Sequence, residues 1–279
     1  MSTGPTNSDG PGGNFSHVVE NWSHMGPPLR PWHSDTLVLQ RAVESAAPPG
    51  RVVVLGLTHE TIGWGWPAGT ELIALDNSRA MLAALWPVPG APERSHAVLS
   101  EWLHMPLADA VAGLVCADGS HSLMSYPLGY RALATEVSRV LRPGGRFFAR
   151  AFLRPDAPEP TERIAADLLA GRIGSVDVLK LRLFAAVHGQ SGSGTCLGDV
   201  WNVWKTLPPV PASLAGRPGW SAGALRSMES HRGLSVRLYL PTLGEIRQAH
   251  GAHFDEIACH QGAYEIAGQC PTMVWQRKP

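Results

Sequence analysis

Between Arg51 and Leu153, short apolar runs alternate with stretches in which apolar residues recur every three or four positions. The runs are "RVVVLG", "TELIALD", "SHAVLSEW", "AVAGLVCAD" and "RFFARAFL". Each is bounded by turn residues, and an unbroken apolar run of this length suits a strand buried on both faces. Between them, "NSRAMLAALW" reads as a helix with Asn77 or Ser78 near its cap and Pro87 just beyond its end. "YRALATEVSRVL" reads as an amphipathic helix closed by Arg142-Pro143-Gly144-Gly145. Alternation of this kind predicts βαβ units: an α/β fold with a three-layer parallel sheet, right-handed crossovers and helices on both faces. In such sheets the ligand lies outside the carboxyl ends of the strands. That rule selects the loops at 56–60, 76–77, 100–104 and 117–124; the second opens on Asp76, and Asp118 is the second residue of the last.

The flanking regions follow other patterns. Residues 1–13, "MSTGPTNSDGPGG", have the composition of a disordered tail. Residues 14–50 form an expected N-terminal helical lid, with two weakly helical stretches separated by "GPPLRPW". The second can be capped by Ser34 or Asp35 and is stopped by Pro48-Pro49-Gly50. After the core at 51–153, residues 154–237 read as a mostly helical insertion and substrate lid. Its helices are "PTERIAADLLAGRI", "VDVLKLRLFAAVHG" and "DVWNVWKTL", with "QSGSGTCLG" as a flexible link. Residues 238–279 return to the core with a helix and strands near 254–260 and 272–276.

Composition narrows the class of partner. Of 279 residues, 44% are apolar, and Lys+Arg equals Asp+Glu at 23 each. A balanced surface argues against nucleic acid or an anionic membrane, both of which need clustered positive charge. The four cysteines, Cys116, Cys196, Cys259 and Cys270, show no CxxC spacing, so a reducing cytoplasm is expected and neither zinc nor a disulfide framework. Twelve histidines prompt a check for metal ligands. His250 and His253 are three apart but beside a glycine, on an expected surface helix end, and no acid–histidine pair elsewhere matches them; no metal is expected.

Asp76 comes twenty residues after Gly56 at the end of the second strand. A carboxylate there can accept hydrogen bonds from both hydroxyls of a ribose, or cap the next helix, and the two roles are compatible. Gly56 opens the first turn, but Leu57 and Thr58 follow where a close grip on a diphosphate would need more glycine. Backbone N–H groups there, the Thr58 hydroxyl and Glu60 still offer contacts to a carboxylate and an ammonium. Arg30 is a second carboxylate partner if its segment folds across.

The succession "VVVLG", "IALDNSRAML", "LSEWLHMPL", "LVCADGSHSLM" and "VSRVLRPGGRFFARAF" resembles the class I S-adenosylmethionine-dependent methyltransferases over roughly Arg51 to Phe152. The final helix and two strands fit that family's reversed, antiparallel β-hairpin edge. The resemblance implies S-adenosyl-L-methionine as cofactor. Gly56, Leu57 and Thr58 would stand at the glycine-rich loop, Asp76 at the ribose, and Asn77 and Met81 beside the adenosine. Glu101 would lie near the adenine amino group with Trp102 able to stack on the purine, and Ala117 would sit where methionine and acceptor meet. Methyl transfer needs chiefly in-line geometry; should a base be required, Asp118 and His121 are the candidates. His188, Tyr126, Trp201 and Trp204 could be supplied by the insertion. Tryptophan richness and the lack of net positive charge favour a small-molecule methyl acceptor over RNA or DNA; a monomer or homodimer is expected. A non-catalytic cofactor-binding or scaffold protein is the alternative, and a nicotinamide-dependent dehydrogenase is the weakest, because Leu57 and Thr58 hinder approach of a pyrophosphate.

Overall fold

Five strands fall on the five apolar runs: β1 (Arg51–Leu55), β2 (Glu71–Asp76), β3 (Arg94–Leu99), β4 (Ala112–Asp118) and β5 (Leu141–Arg150). The computed structural model describes residues 19, 21–44, 50–189 and 193–279, so the expected tail at 1–13 lies outside the described residues. The remaining strands are β6 (Thr195–Cys196), β7 (Arg237–Leu238), β8 (Phe254–His260) and β9 (Thr272–Arg277). β1 to β5 pair in parallel. The large sheet has the order β3-β2-β1-β4-β5-β9-β8, with β9 antiparallel to both neighbours. The expected parallel sheet with a reversed hairpin edge is present.

Side-chain alternation along β1 divides the core into two layers. Val53 and Leu55 face a cluster with Tyr130, Leu133, Phe147 and Ile246. That layer is covered by α4 (Leu128–Val140) and α9 (Leu243–His250). Val52 and Val54 face the opposite layer with Leu39, Ile62, Met81 and Phe148. There the cover is α1 (His33–Glu44), α2 (His59–Ile62) and α3 (Arg79–Leu85). Asp35 serves the start of α1 by accepting the Trp32 N–H at 2.8 Å.

The insertion carries α5 (Thr161–Leu169), α6 (Val176–Val187), α7 (Leu197–Thr206) and α8 (Ala222–Glu229) around its own apolar cluster of Leu168, Leu179, Leu183, Val200, Trp220 and Met228. Three details depart from the pattern reading. The third strand stops at Leu99, before Trp102, because as an edge strand it is only half covered. Thr195–Cys196, expected within a flexible link, pairs antiparallel with Arg237–Leu238. α8 was not anticipated: its cap is Ser221, whose hydroxyl accepts the Ala224 N–H, but Gly223 and Ser227 dilute its apolar stripe. Among the described residues, no helix is long and apolar enough to cross a membrane.

Candidate functional site

At the carboxyl end of β1 the chain turns at Gly56, whose φ of 95° is a conformation that favours glycine. Its N–H is held by the Leu75 carbonyl at 2.8 Å. Leu57 sends its side chain into the core, where it is 2% exposed among the residues of the α1–α3 layer. Burial of a leucine contributes about 1.5–3 kcal/mol, so the absent glycine is replaced by packing, and the Leu57 side chain does not crowd the loop surface. Thr58 is also buried and stands at the N-terminus of α2.

At the end of β2, Asp76 is 7% exposed. Its Oδ1 accepts the Ser78 N–H at 2.8 Å, and Ser78, not Asp76 or Asn77, caps α3 by accepting the Met81 N–H at 3.2 Å. Burial pushes the Asp76 carboxyl up to about 6; the Ser78 bond pulls it down and nearby Glu101 adds to the rise. Asn77 reaches across to the end of β3 and donates to both oxygens of the exposed Glu101, at 3.2 and 3.3 Å. Trp102, expected to stack on a ligand, instead lies in the core, its indole N–H donating to the Leu75 carbonyl at 2.7 Å and its ring backing Gly56. Met81 is buried on α3.

The ends of β4 and β5 differ. Ala117 is buried and Asp118 lies opposite Arg150 in the ladder, with Arg150 Nε 2.6 Å from the Asp118 carboxylate. Burial raises the Asp118 carboxyl and Arg150 opposes the rise. Arg150, 1% exposed, also donates to the Pro28 carbonyl at 2.5 Å. A strap at residues 26–31 thus crosses these strand ends. Arg30 pairs with Glu60 at 2.6 Å and stacks on Trp22. The Gly26 N–H donates to Asp177 of α6 at 2.7 Å, joining strap to insertion. The two groups expected to hold the carboxylate and the ammonium of one amino-acid end therefore hold each other. A void about large enough for one water lies beneath the strap, lined by Asp35, Thr61, Asp118 and Arg150 among others.

His121, expected beside the reacting groups, is wholly buried. Its Nε2 is 3.0 Å from His250 Nε2, and His250 Nδ1 donates to the Ile246 carbonyl at 2.8 Å. His250 is likewise buried rather than on a surface helix end, stacked on Trp275 with ring centroids 4.8 Å apart. Burial holds the His121 imidazole well below its usual range and lowers His250 to about 4. Neutral imidazoles with no exposed edge cannot take a proton from an outside acceptor in this conformation. His188 is tied down by the Leu240 N–H and the Gly189 carbonyl, and the Trp201 indole donates to Glu229. The structure brings together Gly56, Asp76, Asn77 and Glu101 at one half of the sheet's end, and Arg30, Glu60 and Asp118 at the other. Pattern reading missed Arg150; the register that sets it opposite Asp118 was the available signal.

Among the described residues, no group of three or more His, Cys, Asp or Glu side chains is placed to hold a metal ion. No family model and no curated protein matches the chain. Solved structures do. The N-methyltransferase NodS of Bradyrhizobium japonicum, in complex with S-adenosylhomocysteine, superposes with a TM-score of 0.52 at 9% identity over 94% of this chain and 98% of that one. A Rhodobacter sphaeroides chain named provisionally as a Zn-dependent alcohol dehydrogenase gives 0.56 at 14% identity, over 94% and 98%. A complex of the Haloferax volcanii Trm112 methyltransferase activator with a candidate methyltransferase gives 0.50 at 11%, over 88% and 91%. At these identities the likeness is one of fold: the chain has the Rossmann-like fold of class I S-adenosylmethionine-dependent methyltransferases.

Proposed function

We propose that this chain binds S-adenosyl-L-methionine and transfers its methyl group to a small-molecule acceptor. The observation that carries the reading is Asp76. Its buried carboxylate has one oxygen engaged by the Ser78 N–H, while the other accepts no hydrogen bond among the described residues. Burial has raised this group at the place where the fold puts ligands, and a ribose diol would supply the donors that the protein withholds. The adenosine would lie against Asn77, Glu101 and Met81, with Gly56 leaving the turn low. Leu57 and Thr58 would present backbone, and Arg30 and Glu60 would meet the amino-acid end. Bound cofactor would supply an electrophilic methyl; the protein's share is to align it and exclude water. Ala117 and Asp118 would border the acceptor.

Calorimetry with S-adenosylmethionine and S-adenosylhomocysteine tests this reading. Binding of both is expected, with Asp76→Ala weakening it by about 1–3 kcal/mol; absence of binding by either ligand defeats the proposal. A second reading is a cofactor-binding protein without turnover. The burial of His121 and the Asp118–Arg150 pair favour it, since neither candidate base is available. Binding without S-adenosylhomocysteine formation across a panel of acceptors would favour it further.

A further inference from the structure

The opposite pole of the sheet carries a second feature, unrelated to the methyl-transfer reading. Because β1 to β5 run parallel, their first residues share one rim. The register sets Arg51, Glu71 and Arg94 side by side. On the other side of β1 come Val111, just before β4, and Arg142 at the start of β5. In spatial order the rim reads Arg94, Glu71, Arg51, Val111, Arg142, with an arginine on every second strand. Adjacent strands are about 4.8 Å apart, so the guanidinium-bearing positions recur roughly every 10 Å. These residues, with Gly50 and Gly69, line a solvent-open groove of about 440 Å³. Small-ligand sites run from about 300 to 1,000 Å³.

Three guanidinium groups and one carboxylate line the groove. Glu71 alone serves two of them, its Oε2 lying 3.0 Å from Arg51 and 3.5 Å from Arg94. The Arg51 Nε–H is screened from solvent and has no acceptor among the described residues. Arg94 is well exposed, its side chain retaining 67% of its surface. Gly50 and Gly69 sit in left-handed turns, and a Cβ at either would meet nothing within 4 Å, so the groove wall is open there. Forked donors on both sides of a shared acceptor suit an anion with several oxygens spread over two centres. The chain as a whole is neutral, which disfavours a long nucleic-acid track and favours a small ligand.

We propose that this amino-end groove is a binding site for a diphosphate group, either inorganic pyrophosphate or the diphosphate of a nucleotide, gripped by Arg51, Arg94 and Arg142 in competition with Glu71. The test is calorimetric titration of the full chain with sodium pyrophosphate and, separately, with ADP. Saturable binding is expected, weakened at least about tenfold in Arg94→Gln and in Arg142→Gln. In Glu71→Gln it should tighten, a gain that a purely structural role for Glu71 would not produce. Tighter binding of ADP than of pyrophosphate would identify the nucleotide as the source, and equal binding the inorganic ion. The site is refuted by absence of saturable binding, by wild-type affinity in both arginine variants, or by a single-stranded RNA oligonucleotide binding more tightly than either ligand. S-adenosylmethionine affinity should be unchanged in all three variants. Loss of that affinity in the wild-type chain would count against the methyltransferase reading and leave the pyrophosphate result standing.

Discussion

The two halves of the sheet's carboxyl end treat their polar groups in opposite ways. Beyond β2 and β3, one Asp76 oxygen has no hydrogen-bond partner among the described residues and the Asn77–Glu101 pair is exposed. Beyond β4 and β5, Asp118 is locked to Arg150, Arg150 to the strap, and His121 to His250. The first half, proposed to receive the ligand, holds a carboxylate that burial pushes up to about 6; the second ties its charged groups to one another and to the N-terminal strap. The closed half is not fully paired either: Arg150 Nη2 and His121 Nδ1 are buried with no hydrogen-bond partner among the described residues, so what separates the halves is whether a polar group is open to a ligand.

The contrast can be broken from the closed side first. Arg150→Met leaves Asp118 buried without its cation, and loss of about 3–5 kcal/mol is expected in urea unfolding. A loss below about 1 kcal/mol would show the pair to be dispensable. The histidine pair comes next. His250 is lowered from 6.5 to about 4 in the folded chain, so below pH 6.5 the unfolded chain takes up a proton that the folded one refuses. Its contribution, about 3 kcal/mol, is present above 6.5 and lost as pH falls towards 4. His250→Phe should flatten this acid limb; an unchanged pH profile would contradict the burial argument.

The open half has the reverse sign. Asp76 is raised from 3.8 to about 6, so its folded form favours the proton, and the cost of ionising it appears as pH rises through 4–6. Asp76→Asn should therefore stabilise the ligand-free chain by about 2–3 kcal/mol at pH 8 and by little at pH 4, while weakening cofactor binding. A stability gain that does not vary with pH would argue against a raised carboxyl. The smallest effect is expected of Glu101→Gln. Removing this like charge should lower the midpoint of the Asp76 titration and weaken cofactor binding less than Asp76→Ala does, readable by NMR titration and calorimetry.

The strand framework was legible because buried parallel strands are written as unbroken apolar runs, and Val52 to Leu55 needed no tertiary information. Gly56 and Asp76 were legible for a related reason: strand ends are fixed once strands are. The partners of site residues were not. His121 and His250 are 129 positions apart, and nothing local distinguishes a buried histidine pair from two exposed ones. Trp102 read as a stacking platform because an aromatic in a ligand loop has two uses, and only the Leu75 carbonyl decides between them. Arg150 was concealed inside an apolar run, where a charge is affordable only opposite Asp118.

β9 lies between β5 and β8, although it follows both in the sequence. β8 leaves the ribosome before the strand that joins it to the sheet, and Asp35 of α1 must await Thr272 for its hydrogen bond. Until residues 272–277 arrive, β5 exposes one apolar edge and α1 packs on an unfinished layer. The loops proposed to receive the ligand lie within residues 56–101, but Leu57 and Met81 share their layer with Val274 of β9, so their packing is also finished only then. In the order of synthesis, the loops proposed to receive the ligand come early, and the layer beneath them is sealed only when Val274 arrives.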